Sequence, residues 1–256
     1  MAKNYSSTID TGNFIPIIIL IIFLCIGFIP NLEAVDKIAP QWLAMSFVNL
    51  ISLSYIIINY KKFGSSLNFT LKAPVSIIYL LFILWGGASF FYAINSTEVL
   101  VNIARQVNIF LMFINMSILI YKIRYKSIFI SYVILIILSF ETYAVLDQAT
   151  DMIKNSGSIN SGLLKGVTAN RNITAFSIAI KIPFIFFIIY QAKRFIINFL
   201  GGGLFSLSIL ALSMIQSRAA FLAVGFLLLA FIILNTVLYF KNSRKKRFLI
   251  LNLYIV

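Results

Sequence analysis

Long apolar runs alternate with short polar clusters along the whole chain, at a spacing that predicts helices crossing a lipid bilayer. A hydrocarbon core of roughly 30 Å takes about 20 residues of α-helix. On that measure the runs at 14–30, 41–59, 74–94, 104–121, 127–147, 172–190, 199–216 and 219–240 predict eight complete spans, and a ninth begins at Phe248 and is cut off at Val256. The expected fold is therefore all-α, a polytopic transmembrane helix bundle that forms a single transmembrane domain over 1–256. Because the stretch Phe248–Val256 is too short to cross a bilayer, the chain is expected to be the N-terminal portion of a longer protein. The first run is followed by Pro30 and charged residues rather than a small-residue cleavage site, so it reads as a retained anchor and not a signal peptide.

Composition strengthens this reading. Hydrophobic residues make up 61% of the chain and charged residues only 11%, with a mean hydropathy of +1.00, far from the averages of soluble domains. The net charge of +14 is the usual sign of nucleic-acid binding, but here the basic residues sit in the connections between apolar runs, where they act as a topological signal. Nucleic acid is thus not an expected partner. With the N-terminus in the cytoplasm, Lys3, Lys61, Lys62, Lys72, Lys122, Arg124, Lys126, Lys193, Arg194, Lys241, Arg244, Lys245, Lys246 and Arg247 all fall inside. Glu33, Asp36, Lys37, Glu98, Asp147, Asp151, Lys154 and Lys165 fall outside, where the longest loop runs from Gln148 to Ala169. Cys25 is the only cysteine and lies inside the first span, and histidine is absent, so neither a disulfide framework nor a CxxC metal site is available. No metal and no cofactor are expected.

Four cations remain at membrane depth or at its edge. Arg105 opens span four, Arg171 opens span six, Lys181 lies about nine residues further on, and Arg218 stands at the turn into span eight. Glu141, inside span five, is the acid expected to partner Lys181 or Arg105. Ionisable groups in a membrane usually face the bundle interior, pair with one another or meet a charged ligand. A single terminal arginine is adequately explained by snorkelling to the interface, and an intramembrane Glu–Lys pair by holding two spans together. Four cations in the outer half instead suit an anionic group presented there, since the arginine fork matches phosphate oxygens.

Two local patterns sharpen the expectation. Gly166-Val167-Thr168-Ala169-Asn170-Arg171-Asn172-Ile173-Thr174-Ala175 is a polar helix start whose unpaired N–H groups favour an anion, and Gln216-Ser217-Arg218-Ala219-Ala220-Phe221-Leu222-Ala223 is a Ser-Arg corner followed by small residues. Asn and Ser capping accounts for each of them alone about equally well. Together, a G-x-x-x-N-x-N-x-x-A element opening one span and an S-R-A-A-x-L-A element opening a later one resemble the O-antigen ligase and polymerase superfamily, over residues of roughly 70–256. The resemblance implies a multi-span glycosyltransferase of the bacterial inner membrane that takes a glycan from undecaprenyl pyrophosphate at the outer face. The acceptor would be lipid A core for a ligase or a growing glycan for a polymerase, with membrane lipids as the surroundings. It also implies that Arg218 contacts the pyrophosphate as the catalytic residue, with Asn170, Arg171 and Asn172 lining the same mouth and Arg105, Lys181 and Glu141 as further substrate-binding candidates.

Ligases of that family also use a histidine and a second arginine from a large external loop, and this chain contains no histidine. The competing expectation is a transporter or flippase, in which Glu141 and Lys181 would line a path through the membrane. No internal repeat supports it: Pro183 and the run Gly201-Gly202-Gly203 are isolated, and the glycines read as flexible backbone at the cytoplasmic start of span seven. No P-loop, HExxH, EF-hand or nucleophile-elbow pattern is present.

Overall fold

The computed structural model describes residues 14–30, 36, 38–121, 123, 126–168, 170–192 and 194–241, with no account of the side chains at 235 and 238–241. The predicted ninth span and the charged N-terminal and C-terminal segments lie outside them. Every regular element among the described residues is helical, and contacts along the chain group into two compact units that divide after Lys126.

The first unit holds α1 (Phe14–Cys25), α2 (Ala39–Ile58), α3 (Tyr60–Lys72), α4 (Pro74–Ala88) and α5 (Ser96–Tyr121). Proline punctuates it as its missing N–H requires: Pro40 stands in the first turn of α2, and Pro74 opens α4 after Ala73 has been driven into extended backbone. Helix α5 forms the packing centre, touching α1, α2, α3 and α4. A ladder of amides joins it to α2. Asn49 donates to the Asn108 carbonyl and side chain at 2.9 and 2.7 Å, Asn115 donates to the Asn49 side chain at 3.0 Å, and Asn108 donates to the Ser46 hydroxyl at 2.9 Å. Asn108 and Asn115 stand seven residues apart and so share one face of α5. Interhelical amide bonds of this kind associate helices where lipid supplies no hydrophobic drive.

The second unit holds α6 (Lys126–Ser156), α7 (Arg171–Gln191), α8 (Phe195–Ile215) and α9 (Arg218–Lys241). Its core is built on α7, whose Ala175, Ile178, Ala179, Ile182, Ile185, Phe186 and Ile189 recur at helical spacing and are all buried. Pro183 sits inside α7 without ending it, a tolerance common in membrane helices, where neighbours re-satisfy the freed carbonyl. The Gly201–Gly203 run, expected as flexible backbone, lies instead within helix α8. A Cβ on Gly201 would stand 2.9 Å from Ile189 Cγ1, so that glycine lets α8 approach α7 closely.

Among the described residues, six helices are long and apolar enough to cross a membrane: Ala39–Ile58, Pro74–Phe91, Ser96–Tyr121, Lys126–Ser156, Arg171–Gln191 and Phe195–Ile215. The shorter apolar helices Phe14–Phe28 and Arg218–Leu234 occupy the first and eighth predicted spans. The outer surfaces match a lipid environment, since Ile78, Leu81, Phe82 and Trp85 of α4 and Phe195, Ile196, Phe199 and Leu200 of α8 are all more than half exposed. A water-facing surface rarely carries such continuous apolar area, and the chain reads as a multi-pass membrane protein.

Three expectations change. The polar stretch 60–73, read as a connecting loop, forms α3 over all but Ala73. Span four begins at Ser96 rather than 104, which places Arg105 nine residues, about 14 Å, inside α5 and not at its start. Helix α6 runs on to Ser156, so Asp147, Asp151 and Lys154 belong to that helix and the connecting loop is shorter than Gln148–Ala169. Apolar counting ends a span at its first charges, whereas a helix continues past the bilayer while its backbone bonds remain satisfied.

Candidate functional site

The two sequence elements meet at the starts of α7 and α9. The chain leaves α6 and reaches a 3-10 turn at Gly166–Thr168. Gly166 adopts φ +56°, and a Cβ there would stand 2.6 Å from Thr174 Cγ2, so both backbone conformation and space demand glycine. Its amide donates to Gln148 Oε1 at 3.0 Å, and Gln148 Nε2 donates back to its carbonyl at 3.4 Å, fixing the turn against α6. Thr174, buried one turn into α7, donates its hydroxyl to the Lys165 carbonyl.

Asn170 is the N-cap of α7. Its backbone is extended and its side-chain oxygen accepts from the Asn172 amide at 3.0 Å, which satisfies one orphan donor of the helix start. Ala175 is fully buried in the core of the unit. At the other element, Gln216 closes α8 in the left-handed region at φ +55°, unusual for a residue with a side chain. The turn it makes delivers Ser217, buried, so that its hydroxyl donates to Asn172 Oδ1 at 3.4 Å. Ala220 is buried in the core, where its small side chain lets α9 close on α7.

Arg171 precedes Asn172 and Arg218 follows Ser217, so one hydrogen bond joins the positions next to the two arginines where α7 and α9 begin. Both are exposed, and neither guanidinium has a hydrogen bond or ion pair to any described residue. Each of the two helix starts carries a fork-shaped cation in the first turn, beside the positive end of its helix dipole.

The remaining candidates fall in two other places. Lys181 donates to both oxygens of Glu141, at 2.9 and 2.8 Å, and to the Ser177 hydroxyl and carbonyl, while Ser177 donates its own proton to Glu141 Oε1 at 2.9 Å. Of the two expected partners of Glu141, the structure selects Lys181. This neutral cluster lies ten residues along α7 from Arg171, about 15 Å by helical rise. Arg105 belongs to the first unit. It donates to Asp36 Oδ2 at 2.9 Å and lies over the Trp42 ring at 5.8 Å. Gln148 and Ser217, which hold the site together, were not singled out as site residues by sequence. Ser217 is the first residue of the second motif, while Gln148 stands 18 residues before the first with no local signal, and nothing in the pattern pairs residues 18 or 45 positions apart.

Comparison of the chain with protein-family models, with curated proteins and with solved structures finds no match.

Proposed function

We propose that this chain is a membrane glycosyltransferase of the O-antigen ligase and polymerase type. It would sit in the bacterial inner membrane with eight spans and a cytoplasmic N-terminus, and bind a glycan carried on undecaprenyl pyrophosphate at the outer face. The observation that supports the reading is the Ser217–Asn172 hydrogen bond, which joins the two motif elements; Arg171 and Arg218, next to those two residues, would face one mouth. Arg218 would bind the pyrophosphate bidentately and stabilise the departing phosphate as the bond to the sugar breaks, with Arg171 as the second cation and Asn170 and Asn172 ordering the helix start. The acceptor, lipid A core or a growing glycan, would approach the same mouth.

The test uses the chain reconstituted in lipid nanodiscs with undecaprenyl pyrophosphate as probe. Arg218→Ala should weaken binding about tenfold or more, the worth of a charge-assisted hydrogen bond, while Arg218→Lys recovers part of it. Wild-type affinity in Arg218→Ala would sink the assignment.

A further inference from the structure

Helix α3 is the one element whose existence the apolar pattern does not explain. It spans Tyr60–Lys72 between two membrane-length helices, α2 and α4, and so lies where the chain turns at one membrane face. Its buried residues Phe63, Ser66 and Thr70 form one stripe, packed toward α5, whose Ile118 and Leu119 share the same apolar cluster. The opposite stripe is polar. Lys61 and Lys72 stand eleven residues apart, about 16 Å along the axis, yet only about 20° apart around it, since eleven residues nearly complete three turns. Both are exposed, with Ser65 and Asn68 on the same stripe.

The flanks between these two stripes carry exposed apolar side chains, with half-buried Lys62, whose ammonium lies over the Phe63 ring at 5.4 Å, on the same flank as Phe69. Leu71 and Tyr60 occupy one, the Tyr60 ring lying against Gly64, where an added Cβ would meet it at 3.1 Å. Phe69 occupies the other, 5.8 Å from the Tyr121 ring, over which Lys126 sits at 5.2 Å. A helix with a lysine at each end cannot stand along the membrane normal without carrying one ammonium about 16 Å into hydrocarbon. Lying in the interface plane, it keeps both lysines at headgroup level and lets Leu71, Tyr60 and Phe69 on its flanks reach the acyl chains.

We propose that α3 is an interfacial helix whose Lys61 and Lys72, with Lys126 beside its Phe69 flank, bind the phosphates of anionic phospholipids in the adjoining leaflet. The argument for lipid as occupant is the combination: cations spaced along one stripe, apolar flanks on either side of it, and a position fixed at the membrane face by the spans before and after. This is independent of glycosyl transfer, because it involves neither arginine of the mouth.

The experiment reconstitutes the full chain in nanodiscs of mixed phosphatidylglycerol and phosphatidylcholine and measures, by native mass spectrometry, which lipid stays bound. Wild type should retain phosphatidylglycerol preferentially. Juxtamembrane lysines contribute about fivefold each to anionic-lipid attraction (about 1 kcal/mol), so Lys61→Gln with Lys72→Gln should cut the preference about 25-fold. Lys61→Arg with Lys72→Arg should keep it, as should Lys154→Gln at the far end of α6. A glutamine double variant with wild-type preference, an arginine double variant that also loses it, or a wild type with no preference would each overturn the proposal.

Discussion

Lys181 and Glu141 meet with the lysine ammonium within 2.9 Å of both carboxylate oxygens, joining the middle of α6 to the middle of α7 through a pair that is mostly buried. Ser177, one turn before Lys181, donates to the carboxylate and accepts from the ammonium, so each charge is answered inside the cluster. A group so fully engaged has the geometry of a tie between helices. Replacing one partner strands the other charge in a low-dielectric interior, which costs about 3–5 kcal/mol, whereas replacing both by neutral residues of similar size costs little. Unfolding measurements in detergent should therefore find Glu141→Gln and Lys181→Met each strongly destabilised and the double variant close to wild type. If the two single losses simply add in the double variant, the pair is not a unit.

Gly166 carries a double constraint, left-handed backbone and a neighbour too close for a side chain. Gly166→Ala should cost about 1–3 kcal/mol and loosen the start of α7. Adding Thr174→Ser removes the Cγ2 methyl that the new Cβ would strike, so the double variant should recover part of the loss but not the backbone share. Thermal unfolding of the three variants separates the two contributions. An unperturbed Gly166→Ala would mean that the turn does not need this backbone.

Orientation rests on the charge count, and labelling checks it. In a Cys25→Ser background, a cysteine in place of Ser158, beyond the end of α6, should react with an impermeant thiol reagent applied to intact cells. One in place of Ser65 on the polar stripe of α3 should react only after the membrane is opened. The opposite pattern would place α3 outside and the arginine mouth within the cytoplasm.

Much of this protein was readable from the order of its residues because a bilayer imposes a demand that is local in sequence. Each span must be apolar over its own length, so the predicted runs at 41–59, 74–94, 172–190 and 199–216 coincide with helices to within a few residues. Boundaries drifted where the governing physics was not hydrophobic length. Helices α5 and α6 extend past the apolar runs because their backbone bonds continue, and α3 is not visible in the apolar pattern because a short amphipathic helix carries the same lysines as a loop.

What the sequence determined alone, then, was the class, the approximate spans, the sign of the charge on each connection and the two polar elements at helix starts. Tertiary structure decided the partnerships. It chose Lys181 for Glu141 and Asp36 for Arg105, turned Gly201 from flexible backbone into a close contact with Ile189, and brought Ser217 to Asn172. Hydropathy is a property of a segment and can be summed along the chain. A hydrogen bond or an ion pair depends on the rotation and depth of two separate helices, which only their packing sets.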